Sequence, residues 1–330
     1  MKKAAGKKIK SGMKGIARDL RENLLRYFPG RLTGVPKYGL TDTQVYPMGR
    51  NLYYSLQKAT EEIFSGLKID LQTPVASIGT CFAEELAGHM KSSGGNYIIA
   101  EANNFNSSAN WGRVYTLPNL RQIVAYSLQA MPLSIMESGG KFLDPLREKS
   151  IGFFSTSQDA EKSISRHRRL SRQVFETANV LVMTLGQNEA WEDRELGIVW
   201  GSIPPGRLRE AQPDRFSPVT FSVADCSDAL SDIIDLLRSV NPGLTIILTV
   251  SPVAAYATFR SQCVITQSME GKAILRTVAG EACRNLDNVY YFPSFEMIMC
   301  QNPHTFNADN RHVKRATVAR IFNLLDNVIR

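Results

Sequence analysis

Pro74-Val75-Ala76-Ser77-Ile78-Gly79-Thr80-Cys81-Phe82-Ala83-Glu84-Glu85 is the stretch that decides the fold. Its first half is a short apolar run between a proline and a glycine, which reads as a buried strand. Its second half opens a helical spacing that continues through Leu86 and His89 to Met90. Gly79 lets the strand end in a tight turn, so Cys81 falls at the mouth of a helix. There a thiol feels the positive end of the helix dipole and free backbone N–H groups, which favour its thiolate. The same N–H groups can receive the oxyanion formed when sulfur attacks a carbonyl. On this reading Cys81 should be the most reactive of the five cysteines. A cysteine can also be a small buried hydrophobe, and what surrounds it decides between the two.

Outward from this stretch the chain alternates strand and helix. Apolar, β-branched runs predict strands at 75–79, 180–185, 245–250 and 289–292, with a further candidate at 97–100. Helical spacing predicts helices at 82–91, 117–131, 164–177, 223–239, 271–284 and 313–328. Such alternation implies an α/β fold, a parallel sheet between two helical layers. Functional residues in that fold gather on the loops beyond the carboxyl ends of the strands. The run Arg166-His167-Arg168-Arg169 reads as a solvated helix face, with anion binding the lesser alternative.

The chain has 330 residues and a net charge of +8, and the charge is unevenly placed. Residues 1–28 carry nine Lys or Arg against Asp19 and Glu22, or +7 of that total. The nearly neutral remainder argues against a nucleic-acid surface. Ile9, Met13, Ile16, Leu20 and Leu24 recur at helical spacing among those cations. That pattern suits peripheral contact with an anionic membrane face, or docking on a partner or on the chain itself. The expected organisation is a basic amphipathic arm over 1–30, a connector over 31–70 with a helix at 51–67, and an α/β domain over 71–330. The cysteines show neither CxxC pairing nor zinc-type spacing, and no secretory-type segment precedes them. Reduced thiols, no metal and a cytoplasmic location are therefore expected. No apolar run is long enough to span a membrane.

Other segments fall where an acyl-transfer site needs them. Gly186-Gln187-Asn188-Glu189-Ala190-Trp191 follows a strand, and the Asn188 carboxamide can serve as an oxyanion donor or cap its turn. Asn110-Trp111-Gly112-Arg113 supplies a glycine whose backbone N–H can come close to a ligand. Asp309-Asn310-Arg311-His312 precedes the last helix. There the carboxylate can fix the imidazole tautomer and leave the other ring nitrogen as a general base, or it can cap the helix. Glu189 and Trp191 suit the lining of a sugar pocket or a structural role. His89 reads as packing or surface, and His304 is a second choice of base.

Gly79-Thr80-Cys81-Phe82-Ala83-Glu84 resembles the signature of the GSCFA domain family, a branch of the SGNH-like hydrolases, with Thr at the usual Ser. The segments that begin Leu185-Gly186-Gln187-Asn188, Thr249-Val250-Ser251-Pro252, Tyr291-Phe292-Pro293-Ser294 and Asp309-Asn310-Arg311-His312 resemble that family's in the same order. The likeness covers about residues 70–325 and implies a flavodoxin-like, three-layer α/β/α sandwich with an SGNH-type sheet. It places Cys81 at the nucleophile, Gly112 and Asn188 at oxyanion donors, and Asp309 and His312 at the C-terminal dyad. Cysteine in place of serine points away from plain esterase chemistry. Ala254 and Ala255 stand where the family often has basic residues.

The resemblance implies an O-acyltransferase or esterase acting on a carbohydrate in polysaccharide biosynthesis. No cofactor is required, and a coenzyme A thioester is open as acyl donor. The alternatives are a catalytically silent glycan-binding or assembly protein on the same fold and a membrane-peripheral scaffold working through the arm.

Overall fold

The structure, a computed structural model, describes residues 41–44, 46, 52–102, 107–129, 131–132, 134–148, 151, 153–300 and 305–326. The basic arm and His304 lie outside the described residues. Contacts divide the chain into two units, residues 1–59 and 60–330. In the first, Asp42–Gln44 forms one 3-10 turn and helix α1 (Leu52–Phe64) begins. The sheet and every candidate site residue belong to the second.

Strand β1 (Val75–Gly79) is followed by α2 (Cys81–Ser92), α3 (Leu117–Leu128), the short strands β2 (Met136–Ser138), β3 (Lys141–Leu143) and β4 (Phe153–Phe154), and α4 (Ser157–Thr177). Next come β5 (Val180–Leu185), β6 (Glu189–Asp193), β7 (Ile198–Val199), α5 (Gly206–Ala211), β8 (Phe216–Thr220) and α6 (Val223–Val240). The chain continues with β9 (Thr245–Val250), α7 (Val264–Asn285), β10 (Val289–Tyr291), α8 (Ser294–Met299) and α9 (Arg315–Asp326).

The central sheet is parallel, in the order β1-β5-β9-β10. The expected strand at 97–100 shrinks to a parallel bridge between Tyr97 and Val75, with Ile98 N donating to Val75 O at 2.8 Å. Beyond it the chain leaves the sheet, and Ala100 N bonds Ser108 O instead. With Tyr97 at that edge the segments run second, first, third, fourth, fifth, which is the flavodoxin-like order.

Side chains alternate across this sheet as the two-residue period of a strand requires. Ala76, Ile78, Leu181, Met183, Ile246 and Leu248 join one buried cluster with residues of α3, α4, α6 and α7. On the other face Phe82 of α2 meets Phe322 of α9 at 4.7 Å between ring centroids, and Phe64 meets Phe292 at 6.4 Å. The result is the three-layer α/β/α sandwich. Each side chain fully buried in such a layer stabilises the fold by roughly 1.5–3 kcal/mol.

The register sets the site. Gly79 lies opposite Thr184, and Thr184 opposite Thr249. The strands therefore end level, and the segments after β1, β5, β9 and β10 leave from one carboxyl edge.

Two antiparallel sheets, β2-β3-β4 and β7-β6-β8, were not legible in the sequence. The Arg166-His167-Arg168-Arg169 run is a correction, because it is not a uniformly solvated face. His167 is buried and its Nδ1 lies 2.6 Å from Glu101 Oε2. Arg168 sits over the Tyr126 ring at 4.6 Å and donates to Met131 O and Pro132 O.

Candidate active site

The turn before Cys81 is held by close backbone approach. Gly79 has φ +134°, and a Cβ there would lie 2.3 Å from Thr184 O, so only glycine fits. Thr80 N donates to Thr184 Oγ1 at 2.7 Å, and Thr80 caps α2 by accepting from Phe82 N. A Cβ on Gly186 would lie 2.7 Å from Thr80 Cγ2 and 2.8 Å from Tyr115 O. The exits of β1 and β5 and the 110–116 loop thus converge beside Cys81, which is half-buried.

Burial pushes the Cys81 thiol pKa above its ordinary value, the nearby Arg113 guanidinium pulls it back in part, and Glu84 adds to the rise. The expectation of a favoured thiolate is therefore corrected: desolvation outweighs what the helix start and Arg113 supply. Cys263 behaves in the opposite way. It is exposed at the N-cap of α7 without a side-chain capping hydrogen bond, and the nearby backbone N–H groups of Ile265 and Thr266 draw its pKa down. The more acidic thiol at a helix start is Cys263, so Cys81 is not expected to be the most reactive of the five towards a simple electrophile.

The 110–116 loop is fixed along its length. Asn110 N donates to Glu101 Oε2 at 3.0 Å, and Trp111 Nε1 donates to Ser171 Oγ at 2.8 Å. Arg113 N donates to Glu148 Oε2, its side chain pairs with Glu84 of α2 at 3.3 Å, and Val114 N donates to Gly79 O. Within this frame Gly112 has φ +69°, and a Cβ would lie 2.5 Å from Ile151 Cδ1. Arg113 thereby ties the loop that carries Gly112 to the first turn of the helix that carries Cys81.

Asn188 is fully buried just past β5. Its Nδ2 donates to Phe221 O at 3.0 Å, and its Oδ1 accepts from Gln267 Nε2 at 3.2 Å. One amide hydrogen is committed to the fold, and the carboxamide orientation is fixed. Glu189 accepts from Thr258 Oγ1 at 2.7 Å and Phe259 N at 2.8 Å, and so holds down the loop after β9. Trp191 meets Phe259 edge-on at 4.9 Å and lies under Arg209, while its buried Nε1 has no hydrogen-bond partner among the described residues.

In the 309–312 turn His312 Nδ1 bonds to Asp309 Oδ2, and Asp309 Oδ1 accepts from His312 N at 3.0 Å. The His312 side-chain bond first, and then the N–H groups of Arg311 and His312, hold the Asp309 carboxyl well below the usual carboxylate range. Asn310 takes φ 54°, a left-handed value that asparagine tolerates. Arg311 donates to Ala254 O at 3.2 and 3.0 Å. Because Ala254 follows β9, the turn is anchored on the same carboxyl edge as Cys81. β1 and β9 are separated by β5 alone, or roughly 10 Å at the ordinary strand spacing. No hydrogen bond among the described residues joins His312 to Cys81. His89 stacks on Phe322 at 5.4 Å, a packing position.

The first turns of α7 hold the residue that sequence reasoning missed. Gln267, Ser268, Gly271 and Lys272 are buried there, against the exits of β5 and β9. Ser268 Oγ accepts from Ala255 N at 2.9 Å, and a Cβ on Gly271 would lie 2.5 Å from Asn188 Oδ1. Lys272 is 3% exposed, and its Nζ donates to Gly186 O. Burial lowers its pKa to about 7, and the nearby Cys81 charge opposes that fall. The signal for it was a lysine four residues beyond Ser268 on a helix whose buried side begins polar. Among the described residues no group of His, Cys, Asp or Glu could hold a metal ion.

The family model that matches this chain is the GSCFA family, over residues 74–324. No curated protein matches the sequence.

Proposed function

The chain belongs to the GSCFA family, and on that premise we propose an SGNH-like acyl-transfer enzyme that carries the acyl group on Cys81. One observation carries the reading: a half-buried cysteine opens a helix at the carboxyl edge of β1, and the Asp309–His312 pair is anchored on the same edge through Arg311 and Ala254. Cys81 attacks an ester or thioester carbonyl, His312 moves the proton, and Asp309 holds its ring. Backbone N–H groups at the start of α2, with Gly112 and the second amide hydrogen of Asn188, receive the oxyanion. The acyl-cysteine is a thioester, which a sugar hydroxyl attacks readily, so transfer to a carbohydrate is favoured over hydrolysis. A coenzyme A thioester serves as donor in this scheme.

The test is incubation of the full chain with acetyl-coenzyme A or an aryl acetate and a panel of oligosaccharides. O-acetylated sugar forms with the wild type and not with Cys81→Ala. Failure of every donor and acceptor, together with retained glycan binding by Cys81→Ala, would leave the catalytically silent glycan-binding reading. The raised thiol pKa of Cys81 is the observation on that side.

No helix among the described residues is long and apolar enough to cross a membrane. The arm is assigned peripheral contact with an anionic membrane face. Removing residues 1–28 should abolish salt-sensitive sedimentation with anionic vesicles and spare activity on a soluble substrate.

A further inference from the structure

The proposed reaction asks His312 to take the first proton from Cys81, yet the His312 side chain bonds to Asp309. The Cys81 thiol is held protonated by burial, and His312 is not bonded to it. A second basic group reaches the residue that packs on the turn before Cys81. Lys272 reaches from α7 to Gly186 O, and Gly186 packs directly on the Thr80 side chain that precedes Cys81. Gly186 O is its one hydrogen-bond acceptor among the described residues, and no carboxylate pairs with it. A buried ammonium with a single acceptor is unfavourable, so the amine has reason to exist neutral and to seek a negative partner. Cys81 is the ionisable group whose charge reaches it.

Resting on the acyl-transfer reading, we propose that Lys272 is the immediate proton acceptor for Cys81, a catalytic base separate from His312. The two bases then serve the two halves of the reaction. As the Sγ–C bond forms, the neutral amine takes the Sγ proton and the carbonyl π pair moves to oxygen. When the tetrahedral adduct collapses, the bond to the leaving group breaks and the Lys272 ammonium returns the proton to that group. This leaves acyl-Cys81 and a neutral amine. The acceptor hydroxyl then attacks, His312 takes its proton, and collapse expels the sulfur, which His312 reprotonates. Each residue ends as it began.

Burial supports this division. Lys272 is enclosed against the Gly186 carbonyl, whose residue packs on Thr80, whereas the His312 side chain is 50% exposed, open to an acceptor arriving from solvent. The charged and titratable groups around Cys81 are Arg113 and Tyr115 from the 110–116 loop, Glu84 and Glu85 from α2, and Lys272 from α7. Arg113 is committed to Glu84 and Glu148, and neither carboxylate bonds the sulfur. The lysine is the group in this set that can gain a proton near neutral pH.

The test is the pH dependence of Cys81 alkylation by iodoacetamide in the full chain, resolved by peptide mass spectrometry. Wild-type Cys81 should show a first rise near pH 7 ahead of a second at high pH. Lys272→Met should lose the first rise and react at least tenfold more slowly at pH 7.5, with the Cys263 rate unchanged as internal control. Equal Cys81 profiles in a folded Lys272→Met protein overturn the proposal. Should that variant not fold, ¹³C-lysine NMR of the wild type and Cys81→Ala decides. Lys272 should titrate in two phases in the wild type and in one when the thiol is absent, and identical curves overturn the pairing. A thiol–amine pair in a protein that transfers no acyl group sinks the acyl-transfer reading alone. Full turnover by Lys272→Met sinks this proposal alone.

Discussion

Cys81 and Cys263 both stand at the start of a helix, and they differ in almost everything else. Cys263 is exposed, and the N–H groups of Ile265 and Thr266 favour its thiolate. Cys81 is half-buried, and desolvation raises its pKa despite Arg113. The contrast shows that a helix start alone does not set the acidity of a thiol. Exposure sets acidity, but a nucleophile used in a dry site needs a base beside it and donors for the oxyanion. Only Cys81 has candidates for both within the same layer of loops.

The sharpest way to break this comparison is to delete each thiol in turn. Cys81→Ala should lower acyl transfer by roughly four orders of magnitude or more, whereas Cys263→Ala should change it less than about twofold. Initial rates on a thioester donor measure both. Comparable losses would mean that the exposed thiol carries the chemistry.

His312→Ala should cost roughly two to four orders of magnitude in kcat/KM. Asp309→Asn should lose a smaller factor, since it leaves the ring bonded but in the wrong tautomer. The Asp309 carboxyl is held below the usual carboxylate range, so it remains ionised as the pH falls through the region where an ordinary aspartate titrates. Activity should therefore show no acid limb from Asp309 down to about pH 4. A limb there that disappears in Asp309→Asn would contradict the geometry.

Alkylation gives a third test. At pH 7 Cys263 should react at least about tenfold faster than Cys81, because its pKa is lowered while that of Cys81 is raised. Raising the pH to 10 should narrow the ratio, since the Cys263 thiolate saturates first. A ratio that stays constant with pH would mean that access, rather than acidity, separates the two.

The smallest effect concerns the loop after β9. Glu189 holds that loop through Thr258 and Phe259, a few residues before Cys263. Glu189→Ala should lower stability by about 1–3 kcal/mol and raise Cys263 alkylation a few-fold without altering Cys81. Denaturant unfolding and site-resolved labelling read the two consequences. An equal rise at Cys81 would show that the loop shields the candidate site as well.

The parallel sheet was legible because its strands are continuous apolar runs, and β1, β5 and β9 fall where those runs predict. The same rule hid the rest. Helix α4 begins at Ser157 instead of 164 because its first turn is polar, and the Thr156 and Asp159 cap that marks it carries no apolar period. Helix α7 begins at Val264 instead of 271 because the face it buries there is Gln267, Ser268, Gly271 and Lys272. Hydrophobic periodicity cannot register a buried polar face, and that face is where the second candidate base lies. Strand β6 escaped because Glu189-Ala190-Trp191-Glu192-Asp193 is mostly charged. Of the candidate site, the 79–81 turn and the 309–312 turn were readable from spacing. The protonated state of Cys81 was not, since burial is a property of the packed layers.

The central claim is that Cys81 carries the acyl group. Intact-mass spectrometry of the full chain quenched in acid during turnover of an acyl-thioester donor tests it most directly. The expected result is a mass gain of one acyl group, mapped to the peptide containing Cys81, lost on treatment with neutral hydroxylamine and absent in Cys81→Ala. Steady turnover with no acyl adduct, or an adduct mapped to Cys263, would contradict it.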